Sequence, residues 1–81
     1  MRKDKHLQTV VKAIEWTGKN EEEVLKFIKG DRIDNIWFKK VKIRTPKGII
    51  FADIGDFIVK EINGECYPYK PEIFKKTYGP L

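Results

Sequence analysis

Gly55-Asp56-Phe57-Ile58-Val59-Lys60-Glu61-Ile62-Asn63-Gly64-Glu65-Cys66-Tyr67-Pro68-Tyr69-Lys70-Pro71-Glu72-Ile73-Phe74-Lys75-Lys76-Thr77-Tyr78 is the stretch that decides the fold. Two extended runs, Phe57–Ile62 and Glu65–Tyr69, flank Asn63-Gly64. Both turn residues accept positive φ, so the pattern predicts a hairpin closed by a type I′ turn. Pro71 supplies the fixed φ suited to a first helical position, which predicts a short closing helix with Ile73, Phe74 and Thr77 facing back.

Upstream, Ile36 to Thr45 reads as one long strand. Trp37, Val41 and Ile43 would share one side with Lys39, and Phe38, Lys40, Lys42 and Arg44 the other. Thr45-Pro46-Lys47-Gly48 is a turn with proline at its second position. Ile49 to Ile54 returns, with Ile50, Ala52 and Ile54 on one face. Further upstream, Asn20 starts a helix: asparagine is a strong N-cap, Glu23 stands three residues on, and Glu21, Glu22 and Glu23 favour the positive end of the helix dipole. Val24, Phe27 and Ile28 recur at helical spacing, and Gly30 is a natural left-handed terminator. Asp31 to Asn35 reads as a loop. Thr9 to Trp16 is a first strand, preceded by a polar, basic lead-in over residues 1–8.

The resulting order is β-α-β-β-β-β-α in a single domain over residues 9–81. Consecutive antiparallel strands with a helix near each end predict an α+β fold: one small twisted sheet of four to five strands, a helix in the N-terminal half and a short C-terminal helix.

Composition narrows the function classes. The 81 residues carry a formal net charge of +5, which favours an anionic partner and opposes a nucleic-acid mimic. One cysteine, Cys66, permits no intrachain disulfide, and no apolar run is long enough to span a bilayer, so a cytoplasmic protein without membrane attachment is expected. There is no serine, and the only histidine, His6, lies in the lead-in. One cysteine and one histidine cannot build a structural zinc site, and no phosphate loop or dinucleotide fingerprint occurs. Asp53 and Asp56 read as turn-capping side chains rather than as a catalytic pair. The expectation is a protein that is not an enzyme and needs no cofactor or metal.

Two groups of residues carry binding chemistry. Lys40, Lys42 and Arg44, headed by Phe38 and followed by Lys47, would form a row with about 7 Å between successive side chains. Charge for phosphates and a ring for stacking suit a single-stranded nucleic acid or a nucleotide. The same lysines equally suit a solvated edge strand guarded against aggregation. Tyr67, Tyr69, Phe57 and Tyr78, with Lys60 and Lys70 nearby, form the second group; Tyr67 and Tyr69 share a strand face, and such tyrosines beside basic residues suit a protein interface or a stacked base. Phe57 and Phe74 read as core.

The C-terminal stretch resembles a signature in small proteins encoded by bacteriophages and prophages. It runs through Gly55, Asp56, Phe57, Ile58, Val59, Lys60, Gly64, Glu65, Tyr67, Pro68, Lys70, Pro71, Glu72, Ile73, Phe74, Thr77 and Tyr78. Ala13-Ile14-Glu15-Trp16-Thr17-Gly18 and the acidic-start helix through Phe27 are similar as well, so the resemblance spans more than half the chain. Glu61 departs from it, standing where such proteins often have glycine. The resemblance implies a phage setting in the host cytoplasm and no catalytic residues. The leading expectation is therefore a non-enzymatic accessory protein that binds a host protein or sequesters a nucleotide-type anionic signal, acting against a host defence. A sheet-based nucleic-acid binder and a virion subunit are the alternatives. Small size and spare aromatics also suggest a homodimer or higher homo-oligomer.

Overall fold

The structure, a computed structural model, describes residues 12–78. The expected lead-in, and residues 9–11 of the expected first strand, lie outside them. One three-stranded antiparallel sheet has the order β1-β5-β6, formed by Lys12–Glu15, Phe57–Lys60 and Cys66–Tyr69. The other has the order β2-β3-β4, formed by Ile36–Trp37, Lys40–Thr45 and Gly48–Ala52. Helices α1 (Glu21–Ile28), α2 (Arg32–Asn35) and α3 (Pro71–Tyr78) complete the order. The class is α+β, as the sequence predicts. Among the described residues the strands number six and lie in two sheets rather than one.

The split has a local cause. The expected long strand from Ile36 to Thr45 folds back on itself at Phe38 and Lys39, whose φ angles are 48° and 65°. Ile36 pairs with Val41 and Trp37 with Lys40, which leaves a two-residue loop of type I′ character. Neither loop residue is of the kind that favours this turn, so tertiary contacts hold it. The Trp16 indole Nε1 donates to the Lys39 carbonyl at 2.9 Å, and Lys39 Nζ donates to the Gly18 carbonyl at 3.0 Å.

The expected type I′ turn at Asn63-Gly64 takes another form. Asn63 keeps a negative φ and only Gly64 is left-handed, at 90°. Glu61 N–H bonds the Glu65 carbonyl and Gly64 N–H bonds the Glu61 carbonyl, both at 2.8 Å. This is a three-residue loop closed by a glycine bulge, the next commonest hairpin connection. The Asn63 side chain accepts from Glu65 N–H at 3.0 Å instead of supplying a left-handed backbone.

Helix α1 forms where its apolar stripe predicts, with Val24 and Leu25 buried. Its ends differ from expectation. Asn20 Oδ1 accepts from the backbone N–H of Thr17 and from its hydroxyl, both at 3.0 Å, and Nδ2 donates to the Glu15 carbonyl at 2.9 Å. Asn20 thus fastens the end of β1 to the helix start, and its link to Glu23 is a side-chain bond of 3.3 Å. At the other end Lys29, at φ 59°, is the left-handed residue instead of Gly30. Glycine is required at position 30 because a Cβ there would collide with the Asn35 amide.

Residues expected as a loop from Asp31 to Asn35 form the turn α2. Asp31 caps it by accepting from Asp34 N–H at 2.7 Å. Between the sheets and α1 lies a core of Trp16, Val24, Val41, Ile43, Ala52, Ile58 and Cys66. Each buried aliphatic side chain contributes about 1.5–3 kcal/mol of transfer free energy. Phe57 stacks on Phe74 with ring centroids 4.3 Å apart, which docks α3 on β5, whereas Ile73 and Thr77, expected to face back with Phe74, are exposed.

Candidate functional site

The turn at Phe38 and Lys39 decides what the β2-β3-β4 sheet shows to solvent. In one continuous strand Trp37 would lie beside Val41, on the core side. Across the turn it lies opposite Lys40. The remaining pairs, Lys42 with Phe51 and Arg44 with Ile49, complete an outer face that alternates apolar and basic side chains. Ile36, Val41, Ile43, Ile50 and Ala52 form the opposite face, toward the core.

The outer face is unusually apolar for a surface. Ile33 of α2 is 96% exposed, Phe38 79% and Trp37 57%. The Trp37 ring packs edge-on against Phe38 at 4.7 Å and lies 6.2 Å from that of Phe51. Ile33, Trp37 and Phe51 join Asp34, Ile36 and Lys42 around a shallow depression of about 240 Å³.

Its charges are paired rather than free. Arg44 Nη2 contacts both oxygens of Asp34, at 2.8 and 3.0 Å, and Lys42 Nζ stands 4.0 Å from the same carboxylate. The Arg44 bond, with the two cations beside it, holds the Asp34 carboxyl below its ordinary range. Lys40 Nζ bonds Asp53 at 2.5 Å, and Lys70 Nζ reaches Asp53 and Asp56 at 3.2 Å each. The Lys40 bond chiefly, with that from Lys70, lowers Asp53. Lys70 is correspondingly raised, first by its bond to Asp56. Asp56 is buried and accepts from Asp53 N–H at 2.8 Å, the turn role that its sequence context predicts.

The sequence-selected residues therefore separate. Lys40, Lys42 and Arg44 share the outer face as expected, but Trp37, not Phe38, stands in their row. Phe38 sits at the hairpin tip beside it. Lys47 lies at the opposite end, in the β3–β4 turn, and with Tyr67, Pro68 and Tyr69 lines a separate depression of about 420 Å³. Tyr69 packs on Tyr78 at 5.7 Å between centroids. Burial, then the hydrogen bond that its hydroxyl donates to Tyr69, pushes Tyr78 up to about 12. Tyr67 donates to Glu65 at 2.7 Å and is likewise pushed up to about 12 by that carboxylate. Trp37, Phe51 and Ile33 are the face residues that strand-periodicity reasoning missed. The signal available was the density of large apolar residues around the basic run.

Reactive chemistry is sparse among the described residues. The Cys66 thiol is buried, and burial raises its pKa. No three carboxylate, histidine or cysteine side chains converge as metal ligands there. No helix among the described residues is long and apolar enough to cross a membrane. Comparison with protein-family models, with curated proteins and with solved structures finds no match to this chain.

Proposed function

We propose that this chain is a binding protein that engages another protein through the outer face of the β2-β3-β4 sheet, as a non-enzymatic phage-type accessory factor directed at a host protein. One observation carries the reading: Trp37, Phe38, Phe51 and Ile33 are clustered and exposed while the cations around them already stand against the carboxylates of Asp34 and Asp53. Aromatic anchors inside a polar rim are the composition of interface hot spots. A patch of this kind costs solubility unless something covers it. The resemblance of the C-terminal stretch to small phage proteins supports the setting, and binding by occupation needs no reactive group.

The test uses the intact chain and its Trp37→Ser variant as paired baits in host lysate. A partner retained by the first and lost by the second supports the proposal. A partner retained equally by both overturns the assignment to this face. Turnover of any substrate that vanishes with one side-chain replacement would overturn the non-enzymatic reading.

A sheet-based nucleic-acid binder is the second reading, favoured by the alignment of Lys40, Lys42 and Arg44 with Trp37 and Phe51 on one face. Asp34 and Asp53 rank it below the first, because a phosphate would meet their carboxylates beside the same cations.

A further inference from the structure

We infer that β4 is a self-pairing edge and that two copies of the chain join there, antiparallel, about a two-fold axis at Ile50. Edge strands present unpaired backbone groups, and folded proteins usually blunt them with prolines, lysines, bulges or brevity. Among the described residues, three of the four sheet edges are blunted. Strand β6 carries Pro68, β2 is two residues long, and β1 has a charged residue at each end of its four. Strand β4 is five residues long and carries none of these within Gly48-Ile49-Ile50-Phe51-Ala52. All but Ala52 are exposed, Ile49 at 52%, and no described residue pairs with the strand's outer edge.

The segment is self-complementary in size and charge. Antiparallel pairing centred on Ile50 places Ile50 opposite its own copy, Ile49 opposite Phe51, and small Gly48 opposite small Ala52. One residue beyond each end, Lys47 comes beside Asp53 of the second copy, twice by symmetry. Alternation along the strand sends Ile50 to the core side, which extends both cores across the axis. It sends Ile49 and Phe51 to the outer face, where each Phe51 already neighbours Trp37. The product is a six-stranded sheet ending in the two-residue β2 of each copy, too short to template further addition. The assembly is thus closed, as two-fold association requires.

This inference is independent of the partner proposed above, because its readout is the mass of the isolated chain. Sedimentation of the wild-type protein should give twice the 9.6 kDa chain mass in the upper part of a concentration series. Lys47→Glu, which sets like charges opposite Asp53, should weaken self-association about tenfold while the circular-dichroism spectrum stays unchanged. Ile50→Cys tests the register. Residues facing each other across an antiparallel pair lie at about 4.5–5.5 Å between Cα atoms, within disulfide reach, so this variant should form a covalent dimer on mild oxidation. Ile49→Cys, whose partner is Phe51, should not. A monomer at every concentration, open-ended polymers, or equal cross-linking of the two cysteine variants overturns the inference.

Discussion

The indole Nε1 of Trp16 donates to the carbonyl oxygen of Lys39 at 2.9 Å, joining residues 23 positions apart. Trp16 is fully buried, and the bond fixes the hairpin tip that turns Trp37 outward. Trp16→Phe keeps a ring in the core but removes the donor and leaves space behind. It should lower unfolding free energy in urea by about 2–3 kcal/mol. Emission from Trp37, then the only tryptophan, should become more mobile by anisotropy as the tip loosens.

The tip itself is strained. Phe38 and Lys39 occupy left-handed backbone, which costs a residue with a Cβ about 1–2 kcal/mol. Phe38→Asn suits this turn better and should raise stability by about 1 kcal/mol. The same change removes an exposed aromatic from the proposed face, so capture of the protein partner should fall. A variant that is more stable and binds as well as wild type would show that Phe38 is not part of the face.

These two residues also mark where the sequence stops being legible. Helix α1, the C-terminal hairpin and α3 are readable because local signals and tertiary packing agree there. The apolar stripe of α1, Gly64 and Pro71 each sit where their own backbone preferences place them. Phe38-Lys39 carries no turn signal, since the contacts that hold it come from Trp16 and Gly18. Missing the turn shifts parity by one, and that moves Trp37 from core to surface. The basic half of the face was legible because the parity of Lys40, Lys42 and Arg44 is set within β3. Their pairing with Asp34 and Asp53 was not, because it depends on how α2 and the β4–β5 turn pack.

Gly30 and Asn35 behave as one unit. Asn35 is buried, accepts from Asp31 N–H at 3.0 Å and donates to the Lys42 carbonyl at 2.7 Å. Asn35→Ala leaves both backbone groups without that partner and should cost about 1–3 kcal/mol. Gly30→Ala pushes a methyl into the same amide and should cost a similar amount. The double variant should cost less than the sum, because alanine at 35 removes the atoms that the new methyl strikes. Additive effects in thermal or urea unfolding would refute the coupling.

Acid should destabilise the fold through Asp34 and Asp53. Both carboxyls are held below their ordinary value in the folded chain, by Arg44 and by Lys40. The unfolded chain therefore binds the proton more readily. Their contribution is complete above the ordinary carboxylate range and is lost as pH falls through the lowered folded values. Melting temperature should be flat near neutrality and fall below about pH 4, near the ordinary aspartate value. Asp53→Asn should flatten that fall, and an unchanged acid limb would locate the responsible groups elsewhere.

The paired charges separate protein recognition from nucleic-acid recognition on one face. A phosphate approaching Arg44 or Lys42 meets the carboxylate of Asp34 beside the same cation, and one approaching Lys40 meets that of Asp53. Exposed ion pairs are individually weak, about 0–1 kcal/mol, so displacement is possible, but the carboxylates stay nearby and repel the strand. Wild-type protein should accordingly bind single-stranded DNA weakly, with a shallow dependence on salt. Asp34→Asn removes the repulsion and releases two cations. It should tighten DNA binding and steepen the salt slope by about one counterion per freed cation. The same substitution leaves Trp37, Phe38 and Phe51 in place, so capture of the protein partner should persist. Fluorescence anisotropy across a salt series measures the first effect and the paired pull-down the second. Tight, steeply salt-dependent binding by the wild type would instead make nucleic acid the ligand of this face.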